Sequence, residues 1–174
     1  MPKSSSEQID ADEKKVLRVL QKNSKESIDT IAKQCKFSRQ KVWRIIKRLE
    51  KNTTIWGYSA VVDMEKLDRK RYIMLIKRSN QPAGDAIQKI VRLTAHTSGE
   101  KIGVDIISSC YLHGNYDWMM IFTAIGIKEA KKFAEVLSEE YSQIISEIAL
   151  LEDIFTVKAC NIVNPNVEKF QDLF

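Results

Sequence analysis

Between Lys36 and Lys51 the chain carries seven basic side chains, Lys36, Arg39, Lys41, Arg44, Lys47, Arg48 and Lys51, against one acid, Glu50. Cations of one sign at this density suit a polyanion, whereas a merely solvated helix face usually balances its charges. Arg39 and Lys41 would fall in the first turn of a helix, where the dipole disfavours cations. That placement makes sense if phosphates approach, because helix N-termini also bind anions through free N–H groups. Gln40 and Arg44 add the hydrogen-bonding edges that suit adenine and guanine. Trp43 offers an apolar surface for a thymine methyl or a sugar, or else for packing against a wing. The expected DNA-binding set is therefore Ser38, Arg39, Gln40, Lys41, Trp43, Arg44, Lys47 and Arg48.

Three successive helical patterns would position that set. The first begins at Asp10, with Glu13 as a capping-box partner, and has Val16, Leu17 and Leu20 as its apolar stripe. The second begins at the N-cap Ser27 and repeats apolar residues at Ile28, Ile31, Ala32 and Cys35. The third begins at Ser38 and turns Val42, Ile45, Ile46 and Leu49 toward a core. Only Lys36 and Phe37 separate the second pattern from the Ser38 cap, the spacing of a helix-turn-helix. The polar run 1–8 reads as a disordered tail, and 9–60 as the DNA-binding domain. Ile55–Val62 reads as a strand, a wing or a link, with Trp56 and Tyr58 packed at the domain junction.

Beyond a linker at 61–70 the period changes. Tyr72–Lys77 is β-rich, Pro82 and Gly84 punctuate it, and a helix follows with Ile87, Ile90, Val91 and Thr94 on one face. Ile106–His113 and Asp117–Ala124 are strands joined by the hairpin signal Gly114-Asn115-Tyr116. A second helix carries Ala130, Phe133, Ala134, Leu137 and Tyr141, and a last apolar run spans Ile148–Val157. The order βαββαβ over 71–161 is ferredoxin-like, leaving 162–174 as a tail. The fold class is α+β. Strands such as Trp118-Met119-Met120-Ile121-Phe122 are apolar on both faces, so a second copy is expected to cover the sheet face that the helices leave open.

Charge follows this division. Residues 1–60 hold 14 Lys and Arg against 7 Asp and Glu, a net of +7, and residues 61–174 hold 14 against 16, a net of −2. Only the first third should meet a polyanion. Cys35, Cys110 and Cys160 fit neither a disulfide framework nor a metal-ligand spacing, and read as small buried hydrophobes. No metal and no cofactor is expected. No apolar run reaches bilayer length and the N-terminus lacks a secretory core, so no membrane partner and a cytoplasmic location are expected. The two histidines, His96 and His113, fall in different elements, and no phosphate loop or acyl-transfer motif occurs, so no catalytic residue is assigned.

Taken together, IDADEKKVLRVLQ, the run IDTIAKQCKFSRQKVWRIIKRLE with IWGYSAVVD after it, and the hairpin HGNYDW resemble the Lrp/AsnC (feast/famine) family of prokaryotic transcription regulators. The resemblance covers most of 9–160. It implies a winged helix-turn-helix joined to a ferredoxin-like domain, double-stranded DNA as partner, and homodimers that assemble into tetramers or octamers. It also implies an amino acid or similar effector near the hairpin, with Gly114, Tyr116 and Asp117 as the effector-region positions. Three departures stand out. Lys36 and the run Asn52-Thr53-Thr54 replace glycine-bearing turns, and the link His96–Asp105 is long enough to alter an effector pocket. Two other functions are compatible with the same residues. One is a sequence-tolerant architectural DNA binder, and the other is an enzyme like those relatives that decarboxylate modified tetrapyrroles.

Overall fold

The computed structural model describes residues 6–173, which fall into two compact units. The first unit holds the chain up to Val62 together with Thr156 onward, and the second holds Asp63–Phe155.

In the first unit, α1 (Ser6–Leu20), α2 (Ile28–Cys35) and α3 (Arg39–Lys51) enclose a core of Val16, Leu20, Ile31, Ala32, Cys35, Val42, Ile45 and Leu49. These are the apolar stripes of the sequence, each at helical spacing, and burying them against one another is what holds three short helices together. Ser27 and Ser38 cap α2 and α3 by accepting from the backbone N–H of Thr30 and Lys41. The first helix starts earlier than Asp10. Nothing in Ser6–Ile9 breaks a helix, the Gln8 amide donates to Asp12 one turn on, and Asp10 pairs with Lys14 instead of capping. Residues 6–8 of the expected tail are thus helical, and residues 1–5 lie outside the described residues.

Both turns that depart from glycine keep a left-handed residue all the same. Lys36 has φ 58° and sends its N–H to the carbonyls of Ala32 and Lys33. Thr53 has φ 59° just past the end of α3, where Ile55 N–H returns to the Leu49 carbonyl. Ile55–Val62 forms no strand and enters neither sheet. Trp56, expected at a packed junction, is 96% exposed. The expected C-terminal tail 162–174 is structured over 162–173, and residue 174 lies outside the described residues. β5 (Lys158–Ala159) and β6 (Ile162–Val163) form a small hairpin and Val167–Leu173 a 3-10 helix, all grouped with the first unit. There the Asn161 amide donates to the Gln21 carbonyl at 3.3 Å.

The second unit is a four-stranded antiparallel sheet in the order β2-β3-β1-β4, built from β1 (Lys70–Arg78), β2 (Asp105–Tyr111), β3 (Trp118–Ala124) and β4 (Ile145–Asp153). Before it, a 3-10 turn (Met64–Leu67) capped by Asp63 occupies the expected linker. One sheet face packs Tyr72, Met74, Ile76, Trp118, Met120 and Phe122 against Phe133 and Leu137 of α6 (Ile127–Glu140), with Ala95 and Val104. The first crossover is not one helix but two, α4 (Ala86–Val91) and α5 (Thr94–Glu100), parted where Leu93 turns left-handed at φ 54°. The long link from His96 is therefore mostly helical, and Gly99 packs closely on Val104 and Phe133. The opposite sheet face carries Ile73, Leu75, Met119, Ile121, Ala149 and Leu151, half-buried or exposed and in cross-strand register. Of the cysteines only Cys35 is buried. Cys110 is half-buried on the edge strand β2, and Cys160 is exposed in the β5–β6 turn, at φ 45°.

Candidate nucleic-acid interface

The recognition surface is the face of α3 turned from the core. With Val42, Ile45 and Leu49 inward, Gln40, Trp43, Arg44, Lys47 and Lys51 follow one another at i, i+3, i+4, i+7 and i+11 on the outside, and all are exposed. Trp43 is 52% exposed, so its ring offers an apolar surface to solvent. Arg39 joins the row at its N-terminal end, and Lys36 is exposed in the turn before it. The Ser38 hydroxyl is occupied as an acceptor by the cap, which leaves its own proton to give.

Carboxylates of the same unit sort these cations. Arg39 meets Asp29 at 2.8 Å and Lys47 meets Glu50 at 2.9 Å, both pairs largely in solvent. The Lys47 ammonium, and after it the Tyr58 hydroxyl, hold the Glu50 carboxyl below its ordinary range. Lys41 does not stand in the outward row. Its ammonium sits 2.6 Å from the buried Asp12 carboxylate and 4.0 Å over the Phe37 ring. Burial alone would raise the Asp12 pKa, but the hydrogen bonds from Lys41 and Gln8, with the Lys41 charge, outweigh it and hold the carboxyl low. Arg48 likewise turns back to Glu13, at 2.5 Å. Among the described residues no carboxylate pairs with Lys36, Arg44 or Lys51, and the Arg44 guanidinium reaches only the Gln40 carbonyl, at 3.4 Å. Sequence spacing put Arg39, Gln40, Trp43, Arg44 and Lys47 on one face. It missed the Lys41–Asp12 contact, because that contact depends on how α1 crosses α3.

The hairpin positions separate. Gly114 and Asp117 line an open, polar groove of about 490 Å³ with Lys77, Arg78 and Ser79, and Tyr116 does not line it. Asp117 is tied into the sheet end. Its carboxylate accepts from Arg78 N–H at 2.7 Å, its N–H donates to the Ile76 carbonyl, and its carbonyl accepts from Leu112. No group of His, Cys, Asp and Glu that could hold a metal occurs among the described residues. Nor, among them, is any helix long and apolar enough to cross a membrane.

Known proteins share both units. Residues 10–52 match the family described as winged helix-turn-helix DNA-binding. An uncharacterized HTH-type transcriptional regulator of Bacillus subtilis (strain 168), YugG, is 39% identical over 56 residues, which is 32% of this chain and 34% of that protein. The likeness in sequence thus spans about a third of that relative. In three dimensions the chain is similar to PH0061, with TM-score 0.68, 20% identity and coverage of 91% of this chain and 98% of that one. An AsnC family transcriptional regulator from Agrobacterium tumefaciens superposes at TM-score 0.65 with 16% identity, over 89% and 96% of the two chains. The regulator NMB0573 from Neisseria meningitidis, in complex with L-Met, does so at 0.62 with 15% identity, over 85% and 91%. The chain shares the fold of these structures, with a first unit that matches the winged helix-turn-helix DNA-binding family over residues 10–52 and a ferredoxin-like βαββαβ second unit.

Proposed function

We propose that the protein is a DNA-binding transcription regulator that lays α3 in the major groove and works as a homodimer or larger homo-oligomer. One observation carries this reading. A helix anchored on its inner face by Val42, Ile45 and Leu49 presents Gln40, Trp43, Arg44, Lys47 and Lys51 outward with no acid in the row. Such a row has phosphate partners for its cations and base edges for Gln40 and Arg44. A dimer presenting two copies neutralises roughly 6–10 phosphates, so affinity for duplex DNA falls about 10³–10⁵-fold between 50 and 200 mM salt. A flat salt response in an anisotropy titration contradicts the reading. Footprinting against rising competitor DNA separates a regulator from a sequence-tolerant architectural binder. The apolar outer sheet face supports self-association, and a cytoplasmic location follows from the DNA target.

A second proposal concerns an effector. The groove at Gly114 and Asp117 offers a place for a small ligand at this end of the sheet, and the complex of the similar NMB0573 with L-Met supports an amino acid or related metabolite as its class. The Asp117 carboxylate is already engaged by the backbone, so a ligand's amino group would have to share it. A thermal-shift screen of the amino acids, L-methionine included, with Asp117→Ala on any hit, tests it. If none changes melting, assembly or DNA binding, the groove is not a switch.

A further inference from the structure

Two adjacent acids of α1 grip α3 near both of its ends. Asp12 holds Lys41 at 2.6 Å and Glu13 holds Arg48 at 2.5 Å. Lys41 and Arg48 are two helical turns apart, so the pair fixes how α3 lies against α1. The inner contact is closed on itself. Asp12 is 4% exposed, its second oxygen accepts from Gln8 at 3.0 Å, and the Lys41 ammonium also lies over Phe37. Removing one partner of such a pair strands a buried charge, which is costly. The outer pairs differ in kind. Arg39–Asp29 and Lys47–Glu50 sit largely in water, are worth little, and can give up a carboxylate for a phosphate.

We infer that Asp12 and Glu13 are positioning residues that keep Lys41 and Arg48 off the DNA while setting the angle of α3. The cations left to face the DNA are Lys36, Arg39, Arg44, Lys47 and Lys51, five of the seven. This rests on the DNA-binding reading above and divides its residues. The division is countable, because each phosphate a side chain neutralises adds about 0.9 to the slope of log affinity against log salt.

The test titrates the full chain against mixed-sequence duplex DNA over a salt series, with a thermal melt of every variant to check folding. The double variants Asp12→Asn/Lys41→Met and Glu13→Gln/Arg48→Met remove both partners and leave no stranded charge. Their slopes are expected to equal that of the unaltered chain, whereas Lys51→Met flattens it by about 0.9 per side chain. Asp12→Asn alone frees Lys41 in the first turn of α3 and is expected to steepen the slope, a change that a purely structural ion pair would not make. Should a double variant not fold, Lys41→Gln, which can still donate to Asp12, is expected to keep the unaltered slope. A double variant or Lys41→Gln that flattens the slope as much as Lys51→Met overturns the division, and an unchanged slope in Asp12→Asn overturns the positioning role. Failure of the unaltered chain to bind in a salt-dependent way is a separate result, which sinks the DNA reading itself.

Discussion

Arg44 stands apart from its neighbours on α3 because, among the described residues, no carboxylate meets it and its guanidinium donates only to its own helix, over a long bond to the Gln40 carbonyl. Arg44→Ala should therefore cost about 1–3 kcal/mol at one base position if the side chain reads a base, and the same loss across all sequences if it meets a phosphate. Binding to a panel of single-base variants of a mapped site distinguishes the two. Asp12 makes the opposite prediction, one of stability. Its pKa is lower folded than unfolded, so its contribution is fully present above the ordinary carboxylate range and is lost as pH falls through the lowered folded value. The gap in melting temperature between Asp12→Asn and the unaltered chain should hold from neutral pH to about pH 5 and close below about pH 4. A gap that closes near neutrality contradicts the assigned pairing. The outward residues of α3 were legible in the sequence, because helical spacing alone sorts inner from outer positions. Lys41 was not, since i+3 and i+4 counting places it on a flank and only the crossing of α1 decides where it points.

The helices of the first unit are short, and their turns carry strain that the sequence announced. Lys36 and Thr53 both sit near φ 58–59°, where a side chain is disfavoured by roughly 1–2 kcal/mol and a β-branched one is a genuine outlier. Thr53→Gly should stabilise the protein by about 1 kcal/mol after the entropy of glycine is subtracted, read as a raised melting temperature. Lys36→Gly should stabilise similarly but weaken DNA binding, because it removes an unpaired cation. Destabilisation by Thr53→Gly would show that the turn is not strained as drawn. The segment after α3 illustrates a limit of pattern reading. Ile55–Val62 has strand-forming residues, yet a strand needs a partner ladder, and none is present among the described residues. The crossover before β2 failed in the other direction, since a break at Leu93 with no glycine or proline gave no signal in the sequence.

At the scale of the whole molecule, unbroken apolar runs along the strands announced two apolar sheet faces, and the structure covers one of them with α6 and its neighbours. The other face, centred on Leu75, Met119 and Ile121, supports the proposed homodimer. Ile121→Asp should shift the protein toward monomer in sedimentation and weaken DNA binding with it, because a dimer engages two half-sites about one DNA turn apart. An unchanged sedimentation profile rules out this face as the contact. The C-terminal hairpin was not legible as part of the first unit, because β5 and β6 are two residues each and join it through contacts far apart in sequence. The central claim, that the outward row of α3 carries DNA binding, is tested most directly by titrating duplex DNA with the Arg39→Ala/Arg44→Ala variant beside the unaltered chain. The account predicts a loss of about 1–3 kcal/mol or more, about five- to 150-fold in affinity, with the fold intact by thermal melting. An affinity equal to that of the unaltered chain would contradict it.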